Sequence, residues 1–157
     1  MRLLLFAGLV AFATGSAPAQ QTTLDARTAQ AIVAGCAAHA TGKKQSHAIA
    51  VVDPGGHLIA ALRMDGNGSG IMDFSIAKAK AVAAWGFSTA QMAISARQTP
   101  GFGQAPHVVA VAGGVPVFSA DGKTRIGAVG VSGEAPEDDA ACATAGIAAA
   151  GLRSSRS

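Results

Sequence analysis

The chain has 157 residues, is 50% hydrophobic and only 13% charged, and carries a formal net charge of +3. That length bounds one domain with a sizeable core. The basic residues are scattered, with only Lys43 and Lys44 adjacent and no aromatic side chains interleaved, which excludes a nucleic-acid-binding face; charged residues interrupt each apolar run after the first, which excludes a membrane span.

Residues 1–19 read as an export signal: Arg2 supplies the positive start, Leu3 to Phe12 a short apolar core, and Ala17-Pro18-Ala19 the small residues read at cleavage. No cysteine follows that core, so no lipid anchor is expected. The mature domain, residues 20–157, is expected in the periplasm or secreted. Its charged fraction lies far below the usual quarter, which predicts surface hidden in a homo-oligomer.

Thr22 or Thr23 is the expected cap of a first helix, in which Ala26, Ala29, Ile32, Val33 and Cys36 recur at helical spacing before Gly42 ends it. His47 to Asp53 and Leu58 to Met64 flank Pro54-Gly55-Gly56 and read as a tight β-hairpin. Alternation along the second strand puts Arg63 and Asp65 on one face. Gly66-Asn67-Gly68-Ser69-Gly70 follows as a loop. Asp65, Asn67, Ser69 and Asp73 fall at calcium-loop positions, but Ile76 stands where a bidentate Glu is needed, and a strand rather than a helix precedes them. A flexible strand-to-helix connection is the better reading.

An Ala-rich helix runs from about Met72 to Trp85, with Lys78 and Lys80 on different faces, so at most one addresses the end of the sheet. Ser88 or Thr89 caps a further turn through Met92 and Ile94, and Arg97 to Ala105 is a loop. Strands are expected at His107 to Ala112, Val115 to Ser119 and Thr124 to Val131, the last two joined at Asp121-Gly122. Pro136 opens a last helix whose first turn holds Glu137, Asp138 and Asp139 near the positive end of the helix. A polar, frayed tail is expected from Arg153. The order of elements predicts an α/β (α+β) domain with an antiparallel sheet of about five strands covered by helices.

No motif names a reaction or a metal. Gly127-Ala128-Val129-Gly130 lacks dinucleotide spacing, and Glu134 stands where a nucleophile elbow around Ser132 needs glycine. These glycines instead let a helix or a flat ligand approach the sheet. His39, His47, His57 and His107 are each able to ligate iron. Singly each has a plainer role: His57 in a solvated turn, His47 at a strand start, His39 near a helix end. His107 follows Pro106 beside the glycine-rich Gly101-Phe102-Gly103 loop. Arg63 pairs with Asp65, with the Glu137-Asp138-Asp139 cluster, or with a ligand carboxylate held bidentately. Cys36 and Cys142, an even pair in an exported chain, suggest a disulfide; Cys36 and His39 share a helical face that suits a metal instead.

Val51-Val52-Asp53-Pro54-Gly55-Gly56-His57-Leu58, Met64-Asp65-Gly66, Gly113-Gly114-Val115-Pro116 and Gly130-Val131-Ser132-Gly133 together resemble the GlcG/HbpS family over nearly all of the mature chain. Lys80-Ala81 matches the family's second-helix pattern, Ala83 stands where Thr is common, and Asp138-Asp139 matches its acidic pair. The resemblance implies a profilin-like layered fold and a homo-oligomer. It sets the first and last helices side by side, bringing Cys36 to Cys142, and it implies a haem- or tetrapyrrole-binding domain. Two functions follow. In the first, His107 is the axial ligand of haem, Phe102 stacks on the macrocycle and Arg63 holds a propionate. In the second, the domain is a cofactor-independent lyase or isomerase for a small acid or alcohol, aromatic ones included; Arg63 orients the substrate and Asp65, Lys80 or His107 moves protons.

Overall fold

Residues 23–157 are described by the computed structural model, so the expected export signal lies outside the described residues. In chain order they form α1 (Ala26–Gly42), β1 (Ala48–Val52), β2 (Leu58–Arg63), α2 (Ser69–Trp85), α3 (Thr89–Gln98), a 3-10 turn (Phe102–Gln104), β3 (Gly114–Phe118), β4 (Arg125–Ser132) and α4 (Pro136–Ala149). The strands make one antiparallel sheet in the order β2-β1-β4-β3.

Side-chain alternation divides the core between the two faces of the sheet. Ile49 and Val51 of β1, Val115 and Val117 of β3, and Val129 and Val131 of β4 pack with Ile32, Val33 and Cys36 of α1 and with Cys142, Ala143 and Ile147 of α4. The opposite face carries small residues, and there Val52 and Ala128 meet Ala79, Val82 and Ala83 of α2. Small residues are required because α2 lies directly on the sheet: a Cβ at Gly130 would collide with the Ser75 carbonyl. Gly146 serves the other layer in the same way, since a Cβ there would strike the Ile32 carbonyl of α1. Across that contact Cys36 and Cys142 form a disulfide, with Cα atoms 4.7 Å apart.

Four expectations are corrected. The sheet has four strands, not about five: residues 108–112 are irregular, because His107 turns into the left-handed region (φ +62°) and the β3–β4 ladder begins only at Gly113. Asp25, not Thr22 or Thr23, caps α1, accepting the Thr28 N–H at 2.7 Å. That bond, from the Thr28 backbone, holds the Asp25 carboxyl below its ordinary pKa. Ser69 and Gly70 belong to α2 and not to the preceding loop. The segment after α4 is docked: Arg153 pairs with Phe118 on the outer edge of β3, and Ser157 donates to the Gly122 carbonyl at 3.3 Å.

Candidate functional site

The β1–β2 turn builds one wall of a surface cleft. His57 O accepts from Asp53 N (2.9 Å) and Asp53 O from Gly56 N (3.0 Å), with Gly56 at φ +82°, a conformation suited to glycine. The Asp53 carboxylate accepts the His57 backbone N–H at 2.9 Å, and His57 Nδ1 lies 3.2 Å from Asp53 Oδ2. The His57 backbone N–H is the main reason that the Asp53 carboxyl titrates below its ordinary value. A carboxylate on Nδ1 fixes the ring and leaves Nε2 free, the arrangement that orients ligating histidines. The His57 side chain is 84% exposed, so that nitrogen is open to a ligand.

The other wall comes from α2 and from the loop after α3. Lys80, Ala83 and Ala84 line it, and His107 completes a cleft of about 330 Å³. Aromatic packing places His107. Phe102 meets Trp85 edge-on (centroids 5.1 Å apart) and stacks with Phe87 at 6.5 Å. Trp85 Nε1 donates to the Pro106 carbonyl at 3.0 Å, and the next residue is His107. Phe102 therefore positions the loop from within a packed cluster and is not among the residues lining the cleft.

Lys80 and His107 are brought together, and His57 joins them. Arg63 and Asp65 are not. They stand at the opposite end of β2, whose six residues span about 20 Å at ~3.3 Å per residue. The Arg63 guanidinium donates to the Asn67 carbonyl and makes no ion pair with Asp65 or with Glu137, Asp138 or Asp139 among the described residues. Around it Asn67 Nδ2 donates to Ser46 Oγ (2.8 Å), which donates to the Asp65 carbonyl (2.7 Å), while Ser46 N donates to Glu134 Oε1 (3.0 Å). This network closes the start of α2 against the end of the sheet.

A second polar cluster lies wholly inside. Lys78 Nζ donates to Asp139 Oδ2 at 2.9 Å and to the Val131 carbonyl at 2.8 Å. Asp139 Oδ1 lies 3.0 Å from His47 Nδ1 and accepts the Glu134 N–H at 3.2 Å. The three side chains are at most 2% exposed, and His47 Nε2 has no partner among the described residues. Sealed in this way, they join α2, α4 and the residue that precedes β1 inside the core. Sequence reasoning weighed Lys78 only as an alternative to Lys80. The signal was available: Lys78 shares a helical face with Ser75, Ala79 and Val82, all buried, whereas Lys80 lies off that face and is exposed. His39 and Cys36 form no metal pair, since Cys36 is in the disulfide. No group of three or more potential metal-ligating His, Cys, Asp or Glu side chains occurs among the described residues.

Comparison with known proteins identifies the scaffold. The sequence model of the family described as "Haem degrading protein HbpS-like" matches residues 24–148. A double mutant of Streptomyces reticuli HbpS superposes with a TM-score of 0.74 at 28% identity, covering 90% of this chain and 97% of that one. The Klebsiella pneumoniae protein ORFY superposes at 0.75 with 25% identity, covering 87% and 97%. The PduOC:heme complex superposes at 0.75 with 20% identity, covering 85% and 99%, a likeness of fold. No curated protein matches the chain.

Proposed function

We propose, from the premise that this chain belongs to the HbpS-like family, that it is an exported domain binding haem or a related tetrapyrrole at the cleft of His57, Lys80 and His107. One observation carries the reading: two imidazoles and an ammonium group converge on one surface cleft, and Asp53 leaves one of the imidazoles with a free Nε2. These residues fit the group. An imidazole supplies an iron ligand, Lys80 supplies a cation for a propionate in place of the distant Arg63, and Pro54, Ala83 and Ala84 supply apolar contact. His107 remains the first choice of ligand, with His57 across the cleft from it. When bound, the group would supply an iron centre. The chain's own part is to ligate it, pair with its carboxylate and restrict water on one side. A porphyrin is larger than the cleft, so part of the macrocycle would extend beyond it.

The size of the cleft also favours a second reading, a cofactor-independent lyase or isomerase for a small acid or alcohol. At about 330 Å³ it lies near the lower end of small-molecule sites, and Lys80 with His107 offers it a pair of proton-moving groups. Arg63 and Asp65 do not join that pair within one chain.

Haem titration of the mature protein separates the two. A saturable Soret band is expected, removed or shifted in His107→Ala and weakened without a band shift in Lys80→Ala. Only neutral imidazole ligates iron, so uptake should fall on acidification. An unchanged spectrum in His107→Ala together with a lost band in His57→Ala transfers the ligand role to His57. No uptake by the wild type sinks the haem reading and leaves the enzyme.

A further inference from the structure

The outer edge of β3 presents an unusual set of backbone groups. β3 has β4 on one side and, among the described residues, no full strand on the other. Val131 N donates to the Gly113 carbonyl at 2.9 Å, and Gly114 lies opposite Gly130. Antiparallel pairing then turns Gly113 and Val115 toward β4, and the polar groups of Gly114 and Pro116 outward. The outward donors are accounted for. Gly114 N donates to Thr89 Oγ1 at 2.8 Å, and Pro116 has no N–H. Phe118, past a bulge, donates to the Arg153 carbonyl at 2.8 Å and accepts from Arg153 N at 3.2 Å. The carbonyls of Gly114 and Pro116 are left with no donor among the described residues.

Both residues line a cavity of about 450 Å³, roofed by Ser154 to Arg156 and flanked by the start of α3 and by α4. Phe87, Val115 and Phe118 give it an apolar floor, and Arg156 is its one charged lining residue. The Arg156 guanidinium carbon lies 6.0 Å from the Phe118 ring centroid, and Arg156 makes no ion pair among the described residues. The cavity shares no lining residue with the His57–His107 cleft.

We propose that this cavity binds a small zwitterion with an apolar side chain, an aliphatic or aromatic α-amino acid. The ammonium donates to one of the two free carbonyls, which lie about 6.6–6.8 Å apart along β3, the carboxylate pairs with Arg156, and the side chain lies on Phe87, Val115 and Phe118. Two acceptors without donors beside a cation without an anion are the complement of that class. Pro116 argues against an added peptide strand, because it lacks the N–H with which the edge would complete a ladder.

The test is calorimetric titration and amide NMR of the full mature chain with L-leucine and L-phenylalanine as probes. Two truncated probes accompany them: 3-phenylpropanoate, which lacks the ammonium, and phenethylamine, which lacks the carboxylate. Saturable amino-acid binding is expected, with shifts confined to residues 86–91, 114–118 and 153–157, and each truncated probe weaker by about tenfold or more. Arg156→Gln should weaken L-phenylalanine by about tenfold and leave phenethylamine unchanged. Thr144→Leu, on the exposed α4 wall of the cavity, should weaken binding by narrowing it. Absent saturable binding of both amino acids, truncated probes that bind equally well, or full binding in the two variants overturns the proposal.

Discussion

Lys78 and Lys80 are two positions apart on one helix and belong to different physical regimes. Lys78 is desolvated and held by Asp139 and the Val131 carbonyl; Lys80 is exposed at the cleft. Removing one partner of a buried pair leaves the other charge uncompensated, which costs about 3–5 kcal/mol. Lys78→Met should therefore lower the unfolding free energy by about that amount, while Lys80→Met should change it by no more than about 0.5 kcal/mol. Urea unfolding followed by circular dichroism measures both, and equal effects would refute the assignment of Lys78 as the buried partner. Asp53 gives a pH prediction at the same scale. Its carboxyl, held low chiefly by the His57 backbone N–H, titrates below its ordinary value in the folded chain. The folded pKa is depressed, so its contribution is present above the unfolded value and is lost as pH falls through the folded one. Asp53→Asn should be less stable than wild type near neutrality, and the difference should shrink as the solution is acidified below about pH 4. A difference that stays constant down to strong acid would show that the carboxylate charge is irrelevant to the turn. The pairing of Asp53 with His57 was hidden in the sequence because the turn signal Pro54-Gly55-Gly56 specifies the backbone and not which side chains fold back over it.

Among the elements, the sequence was most legible where periodicity and punctuation agree. The β1–β2 hairpin, β4 and the start of α4 at Pro136 stand where alternation, glycine turns and proline place them. Residues 107–112 show the limit of that logic. Val108-Val109-Ala110-Val111-Ala112 is apolar enough for a strand, yet it finds no partner edge and stays irregular. The segment after α4 fails in the opposite sense: its polar residues suggest fraying, but Arg153 hydrogen-bonds Phe118 through its backbone, which composition does not report. The α1–α4 contact combines both kinds of information. Small residues allow the close approach, and Cys36–Cys142 links positions 106 residues apart. Constraining so long a loop in the unfolded chain contributes about 2–4 kcal/mol. Reduction should lower the urea midpoint accordingly, and Cys36→Ala/Cys142→Ala should reproduce the loss; an unchanged midpoint would show that helix packing alone joins the layers.

At the scale of the whole molecule the two edges of the sheet are unlike. The β3 edge is obstructed by Pro116 and covered by Arg153. Among the described residues the β2 edge has no strand beyond it, and β2 leaves Leu58 50% and Leu62 37% exposed. An apolar edge without lysine or proline invites pairing with another chain. The composition, only 13% charged, pointed to hidden surface but had no means of saying where, because burial between copies and burial in a core draw on the same residues. The sheet order leaves β2 as an edge strand on which such a surface can be tested. The domain is expected to self-associate through β2, with closed symmetry as the usual outcome. Light scattering at micromolar concentration should give a mass of at least two chains. Leu62→Lys, which places a charge on the edge while leaving the backbone ladder to β1 intact, should shift the mass toward one chain. A monomeric wild type would remove the oligomer, and an unchanged mass in Leu62→Lys would move the interface away from β2. Haem bound in the cleft would depend on the same edge: a macrocycle extending beyond a cleft of about 330 Å³ needs a second surface to cover it, and a neighbouring copy is the one this edge would bring. Haem uptake that is lost together with the oligomer in Leu62→Lys, while His57, Lys80 and His107 remain unaltered, is the expected signature of a site shared between copies.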